Sequence, residues 1–262
     1  MNLNLTGKTA LVCGSTQGIG KASAIELALL GANVILLARN EASLQESLKD
    51  LDVSAGQKHG YICADYQMQE VLKEKVESFI TKNGTIHILI NNTGGPAGGL
   101  IQNANTTEFL SAFNNHLICN HILMQAVTPG MKKTQFGRII NIISTSVKMP
   151  LKNLGVSNTI RAAVANWSKT LATEVAPFGI TVNNVLPGGT LTGRLQNIIE
   201  NNSKKNSKTV DEVQTEMIHE IPMGRFAEAH EVANAVAFLA SPAAAYITGI
   251  NIPVDGGRTG CL

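Results

Sequence analysis

Three glycines near the start of the chain have the spacing of a phosphate-binding turn. The stretch Cys13-Gly-Ser-Thr-Gln-Gly-Ile-Gly20 follows an apolar run and precedes a helical pattern. Glycines there let the backbone approach a pyrophosphate, and the following helix N-terminus offers N–H donors and a positive dipole. The spacing differs from GxGxxG, so the strand–helix context carries the argument against an ordinary glycine-rich turn. We expect a dinucleotide to contact Gly14, Ser15, Thr16, Gln17, Gly18, Ile19 and Gly20.

The end of the second apolar run indicates which dinucleotide fits. NAD sites place an Asp or Glu there, about 20 residues after the glycines, to bind the ribose 2′-hydroxyl. Here the position holds Ala38, followed by Arg39 and Asn40. No carboxylate stands there to repel a 2′-phosphate, and the guanidinium of Arg39 can pair with one. The sequence therefore favours NADP(H) over NAD(H), the alternative being that Arg39 points to solvent.

Short apolar runs alternate with helical patterns along most of the chain, and these elements would position the two features above. We predict strands at residues 9–13, 33–37, 61–64, 86–90, 138–143, 180–186 and 250–254. Strands of about five residues separated by helices of about 10–15 residues indicate βαβ units in a parallel sheet covered on both faces. The predicted fold is α/β, with one doubly wound, Rossmann-type domain over residues 1–262 and a sheet of seven strands.

The composition excludes several other classes of protein. Hydrophobic residues make up 44% and charged residues 15% of the chain, which argues against disorder or a fibre. A net charge of +2 and 4% aromatic residues disfavour nucleic-acid binding. No apolar run reaches the ~18 residues of a membrane span, and residues 1–4 do not resemble a secretory signal. The four cysteines form no CxxC pair, so we expect no metal site and a reducing, cytoplasmic location.

Several motifs, in order along the chain, resemble those of the short-chain dehydrogenase/reductase superfamily. They are the glycine loop, Asn91-Asn-Thr-Gly94, the strand that ends at Ser144, Pro187-Gly188 with Thr192, Tyr246-Ile-Thr-Gly249 and Val254-Asp-Gly-Gly257. The general character is similar to the 3-oxoacyl-carrier-protein-reductase-like group. The resemblance implies an oxidoreductase that interconverts a carbonyl and an alcohol by hydride transfer. It also implies cofactor contacts at Asp65, Asn92, Gly94, Pro187, Gly188, Thr190 and Thr192.

The catalytic positions depart from the pattern of that superfamily. Its members use a Tyr to transfer the proton, a Lys four residues later to lower the Tyr pKa and bind the nicotinamide ribose, a Ser to orient the carbonyl, and an Asn to anchor a water. Alignment on the flanking residues keeps Ser144 as the Ser but places Ser157 at the Tyr position and Arg161 at the Lys position. His116 falls at the Asn position, although adjacent Asn114 and Asn115 leave a small slip open.

These replacements leave three interpretations open. In the first, His116 is the replacement acid, because an imidazole with a pKa near ~6.5 exchanges protons near neutrality; a buried structural histidine is the alternative. In the second, water supplies the proton while the protein supplies binding and orientation. In the third, the chain binds NADP(H) without turnover, as a sensor or partner subunit. In each case Arg161 stays charged and can donate to the ribose hydroxyls.

The substrate, a small carbonyl compound or alcohol, is expected over Ser144, between residues 94–99, 149–155 and 190–221. The last segment contains the polar run 200–208, which predicts either a solvated loop or a mobile lid. An apolar stripe along a predicted helix at 157–176 indicates packing against the sheet. The resemblance implies a subunit interface on that helix, so we expect a homotetramer or homodimer, with no nucleic-acid or membrane partner.

Overall fold

A parallel sheet of seven strands runs through the middle of the protein, whose computed structural model describes residues 1–261. The strands are β1 (Thr9–Cys13), β2 (Asn33–Ala38), β3 (Gly60–Cys63), β4 (Ile88–Asn91), β5 (Gly137–Ile142), β6 (Ile180–Pro187) and β7 (Asn251–Val254). They lie in the order β3-β2-β1-β4-β5-β6-β7, and neighbouring strands are parallel. The predicted doubly wound α/β sheet of seven strands is therefore confirmed.

Helices cover both faces of this sheet. They are α1 (Gly18–Leu29), α2 (Glu41–Leu48), α3 (Gln69–Asn83), α4 (Thr106–Phe113), α5 (Cys119–Thr134), α6 (Gly155–Val175), α7 (Gly193–Asn206), α8 (Val210–His219) and α9 (Ala229–Ala240). Successive strand side chains point to opposite faces, so Leu11 and Val12 enter different apolar layers. The layer of Val12 contains residues of α1, α2 and α9, and that of Leu11 contains residues of α3, α5 and α6.

Residues 190–221 contain two helices, α7 and α8, and the polar run within them is not a loop. The polar run 200–208 was expected as a solvated loop or a lid, but residues 200–206 continue helix α7. Leu195 and Ile199 lie four residues apart on α7 and are buried in a small apolar cluster with Val213 of α8. That packing stabilises the helix, while the polar residues occupy its outer side. The solvated-loop interpretation is wrong.

Four asparagines form a buried hydrogen-bond ladder across the carboxyl half of the sheet. Asn91, Asn141, Asn184 and Asn251 occupy matching register positions on β4, β5, β6 and β7. Each Nδ2 donates to the Oδ1 of the next asparagine, at 2.8, 2.9 and 2.8 Å in that order. Ser168 of α6 joins the ladder, because its hydroxyl accepts from Asn141 at 2.5 Å and donates to Asn184 at 2.8 Å. The ladder ties these strands to one register and to α6.

Residues 1–261 contain neither a membrane-spanning helix nor a cluster of metal-binding side chains. Across that range, the helices are too short or too polar to cross a lipid bilayer. The same residues contain no group of three or more His, Cys, Asp or Glu side chains with the geometry of a metal site.

Candidate active site

The candidate residues gather at the carboxyl edge of the sheet, where the strand order reverses. Gly14 follows β1, Asn92 follows β4, and Ser144 comes shortly after β5. The order β2-β1-β4-β5 places the first two of these loops side by side. In open parallel sheets, the crevice at such a reversal is where ligands bind. The fold thus brings the glycine loop and the predicted catalytic serine to the same edge.

The glycine loop leaves no room for a side chain at Gly14 or Gly20. A Cβ on Gly20 would lie 2.2 Å from the carbonyl oxygen of Gly14, and one on Gly14 would lie 2.8 Å from Nδ2 and the backbone oxygen of Asn92. Gly14 and Gly18 also have φ of +58° and +55°, a conformation that glycine adopts without strain. Helix α1 begins at Gly18, so its first-turn amides have no partner within the helix. This bare, donor-rich turn fits the pyrophosphate of a dinucleotide.

Two side chains hold the loop in that shape. The Ser15 hydroxyl is fully buried and accepts from the backbone N–H of Leu37 at 3.0 Å, which ties the loop to β2. The Asn92 amide donates to the carbonyl oxygens of Cys13 and Gly14 at 3.2 and 3.3 Å. Both residues were predicted to contact the cofactor. In this structure their side chains shape the loop itself.

The residues predicted to select the dinucleotide lie at the ends of β2 and β3. Arg39 is exposed and takes part in none of the ion pairs within residues 1–261. The Asn40 side chain accepts from the Ser43 N–H at 2.9 Å and caps α2. The Asp65 carboxylate accepts from the N–H of Gln67 at 3.0 Å. Of these three, Arg39 alone offers a charged group that is free to meet a phosphate.

The segment after β6 forms the opposite wall of the loop. The N–H of Gly188 donates to the carbonyl oxygen of Val254 at 2.9 Å, which continues the β6–β7 pairing past Pro187. The Thr190 hydroxyl donates back to Gly188, and Thr192 caps α7. A Cβ on Gly18 would lie 3.1 Å from the Thr192 methyl group. Helix α7 therefore starts directly against the glycine loop.

Ser144 and the Arg161 guanidinium both lie at the end of β5. Ser144 has extended backbone angles, and its Oγ accepts from the N–H of Ser146 at 3.1 Å. Arg161 is only 8% exposed, and its Nη1 donates to the carbonyl oxygen of Ile142 at 2.8 Å. Ser157 lies one helical turn before Arg161 on α6 and is half-buried. The guanidinium thus enters the site from α6, close to the strand end that carries Ser144.

His116 lies in a π-helical turn, residues 114–118, between α4 and α5. Such turns are frequent at functional sites. Burial, with smaller contributions from the charges of Arg161 and Arg194, lowers the pKa of His116 to about 2, against a hydrogen bond to the Gly94 backbone that raises it. The imidazole is therefore neutral near pH 7. A neutral imidazole has no cationic proton to supply at that pH, and the role of His116 as the replacement acid stays a prediction.

Arg194 is a site residue that the sequence analysis missed. It lies on the first turn of α7, and its Nη2 donates to the carbonyl oxygen of Pro96 at 2.6 Å. A Cβ built on Gly95 would lie 3.4 Å from Nη2 of Arg194 and 3.8 Å from Nη2 of Arg161. A helix dipole disfavours a cation in the first turn. An arginine at that position, two residues after Thr192, was the available signal.

Two cavities lie near this edge of the molecule. The one of about 300 Å³ is enclosed by the 94–97 loop, α4, the π-helical turn and the start of α6, and His116 lines it. A larger cavity of about 510 Å³ lies between α8 and the start of α9, and Arg225 and Glu231 line it. The larger cavity contains none of the predicted catalytic residues. The smaller one, under the loop that Arg194 contacts, is the space adjoining the candidate site.

Comparisons of sequence agree over nearly the whole chain. A family model described as enoyl-(acyl carrier protein) reductase matches residues 14–259. The NADPH-dependent reductase BacG of Bacillus subtilis is 33% identical over 257 residues, which cover 97% of this chain and 98% of that protein. The 3-oxoacyl-[acyl-carrier-protein] reductase FabG of Vibrio cholerae is 37% identical over 257 residues, with the same two coverages of 97% and 98%.

Solved structures agree with the sequence comparisons. The crystal structure of L-sorbose reductase from Gluconobacter frateurii, complexed with NADPH and L-sorbose, superposes with a TM-score of 0.93 at 32% identity. The superposition covers 100% of both chains. The whole fold, including the segment with α7 and α8, therefore has a counterpart in that enzyme.

Proposed function

The chain belongs to the short-chain dehydrogenase/reductase superfamily, and on that basis we propose that it is an NADP(H)-dependent oxidoreductase that interconverts a carbonyl and an alcohol. The observation that carries the proposal is the glycine loop at the same edge of the sheet as Ser144, in which a Cβ on Gly20 would lie 2.2 Å from a backbone oxygen. A turn without side chains at these glycines lets a pyrophosphate approach the backbone N–H groups, which supports a dinucleotide as the ligand. The dependence of BacG on NADPH, and NADPH in the sorbose reductase crystal, support the choice of NADP(H).

The residues at this edge divide into three groups by what they would bind. The first-turn amides of α1 would bind the pyrophosphate, and the Arg39 guanidinium would pair with the 2′-phosphate. Asp65, at the end of β3, would meet the adenine amine. Pro187, Gly188, Thr190 and Thr192 would border the nicotinamide, and when bound the cofactor supplies the hydride. Asn92 and Gly94 would complete the cofactor pocket on the β4 side.

The chain's own part in the chemistry is orientation and electrostatics. The Ser144 hydroxyl would donate to the carbonyl oxygen of the substrate and fix its position. Arg161 would bind the ribose hydroxyls, and its charge would stabilise negative charge that develops on the substrate oxygen. Ser157 is a weak acid, and His116 is neutral because of its lowered pKa. We therefore favour water as the proton source, which is the second of the three interpretations above.

A second candidate function is NADP(H) binding without turnover. It is favoured by one specific observation, namely that no tyrosine occurs between residues 144 and 161. Because Arg161 does not act as an acid, the two replacements remove the proton-transfer pair of the superfamily together. A protein of this kind would sense the cofactor or support a partner subunit.

A fluorescence titration with NADPH and, in parallel, NADH tests both candidates. We expect saturation by both cofactors with a lower Kd for NADPH. NADPH oxidation is then followed with a panel of ketones and aldehydes, with deuterium at the transferred position as a check that hydride transfer takes place. Turnover with an isotope effect supports the oxidoreductase, binding without turnover on any carbonyl favours the second candidate, and failure to bind either cofactor contradicts both.

Two further expectations stay proposals about the whole protein. We propose a homotetramer, or a homodimer, that uses the outer face of α6, where Ala162 and Asn166 are exposed. We also propose a reducing, cytoplasmic location, with which the free state of all four cysteines agrees. Light scattering on the eluting protein gives the mass that decides between these oligomers and a monomer.

A further inference from the structure

Two guanidinium groups meet at Gly95. Nη2 of Arg194 and Nη2 of Arg161 both lie within 4 Å of the position that a Gly95 Cβ would take. The two residues come from different elements, α7 and α6, and are separated by more than 30 positions in the sequence. The charge of Arg194 acts on Arg161 and lowers its pKa, so an anion between the two like charges would relieve their repulsion.

The buried member of the pair has unused donors. Arg161 is 8% exposed, and its Nε has no hydrogen-bond partner within residues 1–261. Its Nη1 is occupied by the carbonyl oxygen of Ile142. A guanidinium carries five N–H donors, and an unpaired donor of a buried, charged group is costly. The fork formed by Nε and Nη2 is left available for a substrate, and the second N–H of Nη1 for a ribose hydroxyl of the cofactor.

Within residues 1–261, this pair of arginines has no carboxylate that neutralises it. Neither Arg161 nor Arg194 takes part in the ion pairs found within residues 1–261. Glu108 lines the adjoining cavity, but its carboxylate accepts from the Asn105 N–H at 2.7 Å in the capping box of α4. His116, the remaining titratable neighbour, is neutral. Burial, with the charge of Arg194, lowers the pKa of Arg161 to about 10, so the guanidinium stays charged at neutral pH.

We propose that Arg161 and Arg194 bind an anionic group of the substrate, a carboxylate, so that the substrate is an oxo acid or the corresponding hydroxy acid. A planar carboxylate matches the planar fork of a guanidinium and binds it through two hydrogen bonds. The acid group then lies near Gly95, and the carbonyl next to it lies at Ser144. This inference rests on the proposed function, because it names the substrate class of the same site.

The position of the pair argues against a role in binding the phosphates of the cofactor. The glycine loop for the pyrophosphate follows β1, and Arg39 lies one strand further out, at the end of β2. Arg161 lies at the end of β5, on the other side of β4. Arg194 points to Pro96 in the loop after β4 rather than to the glycine loop. The two guanidiniums thus lie on the substrate side of the crevice.

Calorimetric titration of the protein loaded with NADP⁺ tests this proposal. The oxidised cofactor prevents reduction of a ketone, so binding is measured without turnover. The probes are pyruvate, which carries the carboxylate, and pyruvamide, its uncharged amide. We expect pyruvate to bind at least about ten-fold more tightly than pyruvamide, since charge-assisted hydrogen bonds are lost in the amide.

Variants on α7 and α6 distinguish binding of pyruvate by this arginine pair from general attraction of an anion to a positive surface. Arg194→Met should weaken pyruvate binding by about ten-fold or more and leave the Kd of NADPH unchanged. Lys204→Met removes one exposed positive charge from the same helix and should change neither value. Arg161→Lys keeps the charge at the buried position but loses the fork of N–H donors, so it should also raise the Kd of pyruvate. Circular dichroism of each variant shows whether it is folded.

Each remaining outcome has a definite meaning. Equal binding of pyruvate and pyruvamide, no binding of pyruvate, or an unchanged pyruvate Kd in folded Arg194→Met overturns the proposal. Inorganic phosphate is titrated into the cofactor-free protein as a third probe. If phosphate binds through Arg194 and NADP⁺ displaces it, the pair serves the cofactor, and the proposal is overturned. Pyruvate binding without turnover on any oxo acid would instead count against the proposed function and leave the anion site standing.

Discussion

Arg39 is an exposed cation at the end of β2, where the 2′-phosphate of NADP(H) would lie. Arg39→Ala should raise the Kd of NADPH by about ten-fold or more, because a charge-assisted pair with phosphate is lost, and should leave the Kd of NADH nearly unchanged. Fluorescence titration with both cofactors measures the two constants. The control is Lys58→Met, which removes an exposed charge at the opposite end of the neighbouring strand. An equal rise in the Kd of NADPH and of NADH would contradict the role of Arg39 in binding the 2′-phosphate.

His116 should make the folded protein sensitive to acid. Its pKa is about 2 in the folded state and 6.5 by default, so below pH 6.5 the unfolded chain binds a proton that the folded chain excludes. Stability due to this residue is therefore complete above pH 6.5 and falls as the pH decreases towards 2, by up to ~1.4 kcal/mol per unit.

His116→Gln removes that dependence and gives the second prediction. Between pH 7 and pH 5 the wild-type protein should lose about 2 kcal/mol of unfolding free energy relative to the variant, measured by urea denaturation at each pH. The control is His219→Gln, which removes an exposed imidazole and should follow the wild-type pH dependence. Parallel curves for wild type and His116→Gln would show that the imidazole titrates normally.

The junction between β1 and α1 depends on the absence of a side chain at Gly20. A Cβ there would lie 2.2 Å from the oxygen of Gly14, in the loop that would bind the pyrophosphate, and 2.6 Å from Nδ2 of Asn92, which holds that loop in shape. Gly20→Ala should therefore abolish measurable NADPH binding. Gly60→Ala is the matched control, because its Cβ would meet only Ile35 at 3.6 Å, an ordinary contact. Retained NADPH affinity in Gly20→Ala would contradict the assignment of the loop.

At the level of elements, the sheet and the glycine loop were predictable because apolar runs and glycine spacing are local signals. Boundaries shifted by a few residues, since strand and helix ends depend on hydrogen bonds that the pattern does not contain. The continuation of α7 through the polar run depended on burial of Leu195 and Ile199 against α8, which is a tertiary contact. The convergence of Arg161 and Arg194, and the low pKa of His116, depend on distances between distant segments. No spacing in the sequence encodes these distances.

For the whole molecule, the asparagine ladder links four strands of the sheet by hydrogen bonds between the two apolar layers. Asn141 is fully buried and bonds Asn91, Asn184 and Ser168 at once. Asn141→Ala leaves all three without that partner and should lower the unfolding free energy by about 3 kcal/mol or more. Urea denaturation at fixed protein concentration measures the loss. Asn166→Ala, at an exposed position of α6, is the control and should stay within about 0.5 kcal/mol of the wild type.

The ladder also bears on how the chain avoids errors while it folds. A strand that docks one residue out of step turns its side chains to the opposite face of the sheet. For β5, that mistake would move the Asn141 amide away from Asn91 and Ser168, with which it forms buried hydrogen bonds in the native register. We therefore expect a misaligned pairing to lack these buried hydrogen bonds and to be less stable than the native one. The asparagines therefore favour the native register of the strands. Their removal should lower the yield and the rate of refolding as well as the stability of the folded protein.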